Sequence, residues 1–210
     1  SMVFGDSVYR VRLEMGRRLA REHPADCDVV VPVPDSGMFA AIGYSRESGV
    51  DLDMGFTRNH YVGRTFIDPT QAARQSMVMR KIQPIPSAVA GKRVCVVEDS
   101  IVRGTTSITR IKALREAGAR EVHMRVSCPP HRHACYFGID FPQQDKLIAH
   151  DRSVTEVARI LGLDSLAYLS VEGMLSCVGA HPVRDYCTAC FTGEYPVLPP
   201  SDGYPGKEEP

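Results

Sequence analysis

Apolar positions in this chain fall into two alternating patterns. Unbroken runs at 27–33 (CDVVVPV) and 94–97 (VCVV) predict strands covered on both faces, as in a parallel sheet. The alternating 121–127 (EVHMRVS) and the short runs at 147–149 (LIA) and 165–169 (SLAYL) add further strand candidates. Between them the spacing turns helical. Val8, Val11, Met15 and Leu19 form one stripe of a helix over 8–21, which His23-Pro24 ends. A second helix is expected over 38–49. A third follows residue 105, where Ile108, Ile111 and Leu114 face one way and Gly118 stops the turn. Shorter helices are expected over 154–161 and 171–178. This alternation predicts an α/β domain, a mostly parallel sheet with helices on both sides.

Two stretches escape the alternation. Residues 55–81 are long, mixed in charge and without clean periodicity, which in a compact domain marks either a functional lid or a disordered segment. Residues 197–210, rich in Pro, Gly and acids, are expected to form a poorly ordered tail, leaving 1–196 as one domain. The 210 residues are enough for a substantial core. At 43% hydrophobic and 24% charged, the composition is that of an ordinary soluble globular protein. Its 25 basic and 25 acidic residues cancel, which recommends neither nucleic acid nor an anionic membrane as partner. No apolar run approaches the ~20 residues of a membrane span and no signal peptide is visible, so a cytoplasmic location is expected. Seven scattered cysteines, an odd number, point to free thiols or metal ligands rather than a disulfide framework.

Candidate chemistry gathers at the ends of the apolar strands. Behind 94–97 come Glu98 and Asp99, then Ser100 and Arg103, then Gly104, Thr105, Thr106 and Ser107 at the start of a helix. Acids at the carboxyl end of a buried strand lie where open α/β sheets bind ligands. Amides and hydroxyls at a helix start make an anion cradle. Together they suit a phosphorylated sugar, with carboxylates for ribose hydroxyls and a metal, and the cradle for phosphate. Taken alone, GTTS is equally an ordinary β–α turn with a Thr N-cap. The 27–33 strand likewise runs into Pro34, Asp35, Ser36 and Gly37 before a helix, a second anion site or a common turn. His123 reads as structural or solvent-facing, and Cys27, Cys95 and Cys177 as small buried hydrophobes.

Four stretches in order, PVPDSG (32–37), NHYVGRTFI (59–67), EDSIVRGTTS (98–107) and CTACFTGEYP (187–196), resemble motifs of the amidophosphoribosyltransferases. The likeness runs from about residue 8 to 196. It implies a type I phosphoribosyltransferase fold with a flexible lid. It also implies displacement of pyrophosphate from C1 of phosphoribosyl pyrophosphate (PRPP) by ammonia, giving 5-phosphoribosylamine in de novo purine synthesis. By the resemblance Asp35, Ser36 and Gly37 take the pyrophosphate. Glu98, Asp99, Ser100 and Arg103 also bind PRPP, and Gly104, Thr105, Thr106 and Ser107 hold its 5-phosphate. Ser36, Glu98 and Asp99 are assigned to Mg²⁺. Tyr61, Arg64 and Lys81 fall on the catalytic lid residues that close over PRPP and exclude water. With Arg58, Arg74 and Arg80, the lid cations could neutralise a departing pyrophosphate. His60 and Met79 stand where the family has Arg, which weakens lid electrostatics. Glu98 stands where the family has Asp; its extra methylene lengthens the reach by about one carbon–carbon bond, and reduced activity is expected.

Cys187 and Cys190 form a C-x-x-C pair with Cys135 upstream, a spacing open to zinc, an iron–sulfur cluster, a redox pair or coincidence. HACYFGID and YCTACFTGEYP resemble the segments carrying three of four [4Fe–4S] ligands in the iron–sulfur branch of the family. The resemblance therefore implies Cys135, Cys187 and Cys190 as ligands, with a fourth cysteine on a segment preceding Ser1. Cys128, His131 and His133 keep a three-Cys-plus-His zinc site open. Complete family members carry an N-terminal glutaminase domain that nothing in these residues resembles. Ammonia would then come from solution or from a glutaminase, either the missing domain or a separate partner, and a homo-oligomer is expected. Three other readings stay open: a base-using phosphoribosyltransferase of the same fold, a non-catalytic PRPP-binding regulator, and a metal or redox module built on the cysteines.

Overall fold

The apolar runs do form a parallel sheet, and its carboxyl edge carries the candidate residues. The computed structural model describes residues 1–58, 82–139 and 143–197. The elements run β1 (Met2–Val3), β2 (Asp6–Ser7), α1 (Val8–Glu22), β3 (Val29–Pro32), α2 (Met38–Ser48), β4 (Phe56–Arg58), β5 (Ile82–Pro84), α3 (Pro86–Val89) and β6 (Arg93–Glu98). They continue with α4 (Thr105–Glu116), β7 (Glu121–Val126), α5 (Val154–Leu161), β8 (Ser165–Tyr168), α6 (Val171–Leu175) and α7 (Ala189–Thr192). β3, β6, β7 and β8 pair in that order, all parallel. β1 with β2, and β4 with β5, make separate antiparallel pairs; β4 takes up the first residues of the expected lid, so 56–58 are strand, with Phe56 buried in the core.

Successive strand residues point to opposite faces, so an unbroken apolar strand serves two cores. Val29, Val31, Val94 and Val96 pack with Val89, Ile111, Leu114, Val157 and Leu161 beneath α3, α4 and α5. Val30, Cys95 and Val97 pack with Leu19, Ala40, Ala41 and Tyr44 beneath α1 and α2. Those two helices touch backbone to backbone. A Cβ on Gly16 would fall inside the Ala40 carbonyl, and one on Gly43 inside the Leu13 carbonyl, so only glycine fits either crossing point. Tyr44, fully buried, reaches back to donate to the His23 carbonyl (3.0 Å).

Several expectations need correction. The buried face of α1 is Leu13, Gly16, Leu19 and Ala20, because α2 lies there; Val8, Val11 and Met15 are only half-buried. In α4 Ile108 is 40% exposed, while Ser107, Ile111 and Leu114 turn inward. The helix is thus rotated toward the sheet edge it serves. Residues 147–149 form no strand. They are buried, but β8 already occupies the place beside β7, and Ile148 N–H bonds instead to the Val102 carbonyl (2.9 Å) under the acidic loop. Cys27 and Cys95 are buried as expected, whereas Cys177 is half-buried. His123 is structural, its Nδ1 2.9 Å from Ser165 Oγ across β7 and β8. Among the described residues no helix is long and apolar enough to cross a membrane. Of the expected tail, 198–210 lie outside the described residues.

Candidate active site

Three segments meet at the carboxyl ends of β3 and β6. The first is the junction from β6 to α4. Gly104, with φ of 80°, is the N-cap of α4 and adopts the left-handed conformation that suits glycine. A Cβ there would also press on Ile148 Cδ1 at 2.5 Å, the movable end of a side chain, so it is the backbone conformation that favours glycine. A Thr does not cap this helix: the N-cap is Gly104, which has no side chain to satisfy the first-turn amides. Thr105 and Thr106 are exposed beside those amides, Ser107 is buried, and Arg103 projects on the exposed side of the loop. An open helix start of this kind carries partial positive charge and free donors.

The second segment is the 34–37 loop, whose Pro34–Asp35 peptide is cis. Gly37 N–H donates to the Val33 carbonyl (2.9 Å), and Val33 N–H donates to the Val97 carbonyl (2.9 Å). A Cβ on Gly37 would collide with that Val97 oxygen, so the loop lies flush against the end of β6. Asp35 is exposed and ion-paired with Arg58 at the end of β4, and Arg12 from α1 donates to the Ser36 carbonyl (3.3 Å).

The third is the acidic pair, whose two members differ sharply. Glu98 is 3% exposed. Its Oε2 accepts from Arg110 Nη1 (2.6 Å), and its Oε1 accepts from Ser36 Oγ (3.1 Å) and Asp99 N–H (3.2 Å). Burial pushes its pKa up to about 7, with the Arg110 charge opposing and Asp99 adding. Asp99 is half-buried at the rim and accepts a long hydrogen bond from Ser100 Oγ (3.5 Å). Sequence reasoning missed Arg110, because reading Ile108 into the buried stripe turns Arg110 the wrong way. Placing Ser107 on that face instead brings Arg110 round toward Glu98.

Behind Asp99 sit Cys128 and His131. Burial drives the Cys128 thiol well above its ordinary range. His131 is 8% exposed, its ring 4.9 Å from that of Phe191, and burial lowers its pKa to about 4 against the pull of Asp99. In the unfolded chain the same imidazole titrates near its ordinary value of 6.5. Between those values the unfolded state binds more protons, so His131 stabilises the fold above pH ~6.5 and that stabilisation is lost as pH falls toward 4. Urea unfolding of His131→Gln beside the unsubstituted protein should show the stability gap shift by about 2 kcal/mol against the unsubstituted protein between pH 7.5 and 4.5. A gap constant with pH would contradict this.

The cysteine segments form a separate corner. Arg132 N–H and His133 N–H donate to the Cys190 carbonyl (3.0 and 3.1 Å), and Tyr195 OH donates to the Ala134 carbonyl (2.7 Å). This clasps 131–137 to 187–195. Burial, followed by the nearby Cys135 and Cys187, pushes the Cys190 thiol up to about 11. Among the described residues no group of three or more His, Cys, Asp or Glu is arranged to hold a single metal ion. Tyr61, Arg64 and Lys81, with His60, Arg74, Met79 and Arg80, lie outside the described residues.

This parallel four-stranded sheet flanked by helices, with loops converging at its carboxyl edge, is the type I phosphoribosyltransferase fold. Solved structures bear this out. The glutamine PRPP amidotransferase from B. subtilis, complexed with ADP and GMP, superposes with a TM-score of 0.81 at 47% identity, covering 91% of this chain and 43% of that one. A structure described as the allosteric regulatory enzyme of purine biosynthesis does so with a TM-score of 0.83 at 47% identity, covering 91% of this chain and 42% of that one. No family model matches the chain. Among curated proteins it is 52% identical over 202 residues to the amidophosphoribosyltransferase of Methanothermobacter thermautotrophicus, covering 96% of this chain and 42% of that protein. It is 51% identical over 203 residues to that of Archaeoglobus fulgidus, covering 96% of this chain and 44% of the relative. The chain is thus similar to a part of these amidophosphoribosyltransferases, and spans well under half the length of these relatives.

Proposed function

We propose that this chain is the phosphoribosyl-transferring part of an amidophosphoribosyltransferase, displacing pyrophosphate from C1 of PRPP with ammonia to give 5-phosphoribosylamine for purine synthesis. One observation carries the reading. The rim carboxylate of Asp99, the flush 34–37 loop and the uncapped start of α4 converge at the carboxyl ends of two adjacent parallel strands. That arrangement offers an anion cradle on either side of a carboxylate, the polarity of a sugar bearing phosphate at one end and pyrophosphate at the other.

Residue roles follow from the chemistry. Gly104, Thr105, Thr106 and Ser107 supply amides and hydroxyls to the 5-phosphate, with Ser100 and Arg103 at its edge. The 35–37 backbone receives the pyrophosphate, with the Arg58 cation beside it. Asp99 accepts from the ribose hydroxyls. Tyr61, Arg64 and Lys81 close over the substrate; that assignment rests on the resemblance alone. Ammonia is already a nucleophile, so the site contributes orientation and electrostatics more than a general base. Ammonia arrives from solution or from a glutaminase, within a longer chain or as a separate partner.

Magnesium, when bound, neutralises charge developing on the leaving pyrophosphate. The ion takes one or two carboxylates plus substrate oxygens rather than an all-protein cage, so Asp99 at the rim fits it. Ser36 and Glu98, assigned with it by resemblance, are hydrogen-bonded to each other (3.1 Å). At the other corner Cys135, Cys187 and Cys190, with the first and second near the third, would supply three thiolates to a [4Fe–4S] cluster, an assignment that rests on the resemblance. There the cluster would pin 131–137 to 187–195.

The reading is tested by pyrophosphate release from PRPP with Mg²⁺ and ammonium, which is expected to depend on ammonia. PRPP binding without release would instead favour a regulatory PRPP-binding domain. Turnover with adenine, guanine, hypoxanthine or orotate would favour a base-using transferase.

A further inference from the structure

Arg110 lies on the second turn of α4 and turns inward, with its side chain 18% exposed. Its Nη1 donates to Glu98 Oε2 at 2.6 Å, and its Nε is buried with no hydrogen-bond partner among the described residues. The guanidinium is therefore compensated mainly by one carboxylate. That carboxylate also accepts from Ser36 Oγ in the 34–37 loop and from the backbone of Asp99. A single buried ion pair thus joins α4, the end of β6 and the 34–37 loop, and each of the three carries one piece of the ribose-phosphate site.

The arrangement leaves Glu98 poorly suited to meet a ligand directly. A metal or a ribose hydroxyl needs a carboxylate oxygen that faces the cleft, whereas both oxygens of Glu98 are desolvated and already accept from protein donors. Buried charges persist where they are paired and fully hydrogen-bonded, and removing one partner leaves the other costly to hold. Asp99, one residue on, occupies the rim.

We propose that Arg110 is a positioning residue of the site. Its ion pair with Glu98 locks the two anion cradles and Asp99 into one rigid unit and withdraws Glu98 from the coordination shell of the metal, leaving Asp99 as the carboxylate that meets substrate. This deepens the PRPP reading above and rests on it. The proposal separates two roles that the adjacent acids would otherwise share: Glu98 holds the frame and Asp99 holds the ligand.

The test is a cycle of variants read by titration calorimetry of PRPP with Mg²⁺. Read at pH 9, where Glu98 is ionised in the unsubstituted protein, Arg110→Met leaves this carboxylate to be stranded in the interior or to take up a proton, which should loosen both loops and weaken PRPP binding about 30-fold. Adding Glu98→Gln removes the stranded charge while its amide oxygen still accepts from Ser36 and Asp99. The double variant should therefore recover most of the lost affinity, to within about 5-fold of the unsubstituted protein. Arg110→Lys keeps the charge without the planar fork and should lose about 5-fold, which keeps the comparison open if Arg110→Met does not fold. If Glu98 were itself a ligand of metal or ribose, Glu98→Gln would deepen the loss in every background; a double variant no tighter than Arg110→Met overturns the proposal. An unsubstituted protein that binds no PRPP overturns the phosphoribosyl reading and this inference with it, whereas binding without rescue overturns the inference alone.

Discussion

Asp99→Asn is expected to reduce ammonia-dependent pyrophosphate release more than ~100-fold, equivalent to about 3 kcal/mol of transition-state stabilisation. The expectation follows from where its charge lies. Glu98 spends its carboxylate on Arg110, Ser36 and a backbone amide, so the rim charge available to substrate is that of Asp99. An amide of the same shape can still accept from Ser100, but it would carry no charge to hold a magnesium ion at the rim. Because Asp99 is half-buried and belongs to none of the ion pairs found among the described residues, the fold should tolerate the change, with a melting temperature within a few degrees. The loss should therefore appear in turnover and in the Mg²⁺ concentration required, not in folded fraction. Undiminished release from a folded Asp99→Asn protein would remove Asp99 from the site.

Much of this was legible in the chain itself, for physical reasons that can be named. A run such as VCVV cannot be half-solvated at either face, so its burial between helices was determined before any coordinate. The glycines at 37 and 104 also stood out beside short polar residues after strands; Gly37 proves to be a place where a Cβ would meet backbone, and Gly104 one with a left-handed φ of 80°. The unreadable part was rotational. The α4 sequence TTSITRIKALRE offers more than one stripe, and the choice between Ile108 and Ser107 as the inward residue depends on the acidic strand end that the helix faces. Having taken Ile108, a reader sends Arg110 to solvent and leaves Glu98 exposed as a twin of Asp99. Likewise 147–149 looked like strand because buried apolar residues do; only the sheet, already filled at that edge by β8, diverts them into a plug beneath Gly104. Local pattern thus specified which segments are buried, and tertiary competition for the sheet edge decided the orientation of the charges.

Gly37→Ala should be the most damaging single-methyl change at the site. Gly37 has an ordinary φ of −78°, so alanine is not excluded by backbone conformation; it is excluded by space. The added carbon would press on the carbonyl of Val97 and sit 3.1 and 3.2 Å from the backbone oxygen and nitrogen of Val33. None of these can yield as a flexible side chain would, since Val33 N–H donates to that same Val97 carbonyl and the two strands are paired just before it. Relief must come from moving the 34–37 loop away from β6, which stretches the Ser36–Glu98 hydrogen bond and shifts Asp99 relative to the start of α4. A stability loss of about 2 to 3 kcal/mol is expected from the overpacking. A loss of PRPP affinity beyond ~100-fold should accompany it, because both halves of the anion site shift. Urea unfolding gives the first quantity and calorimetry on the still-folded fraction gives the second. If Gly37→Ala folds and binds PRPP within a few-fold of the unsubstituted protein, the loop does not take the pyrophosphate, and the site must be rebuilt around α4 alone.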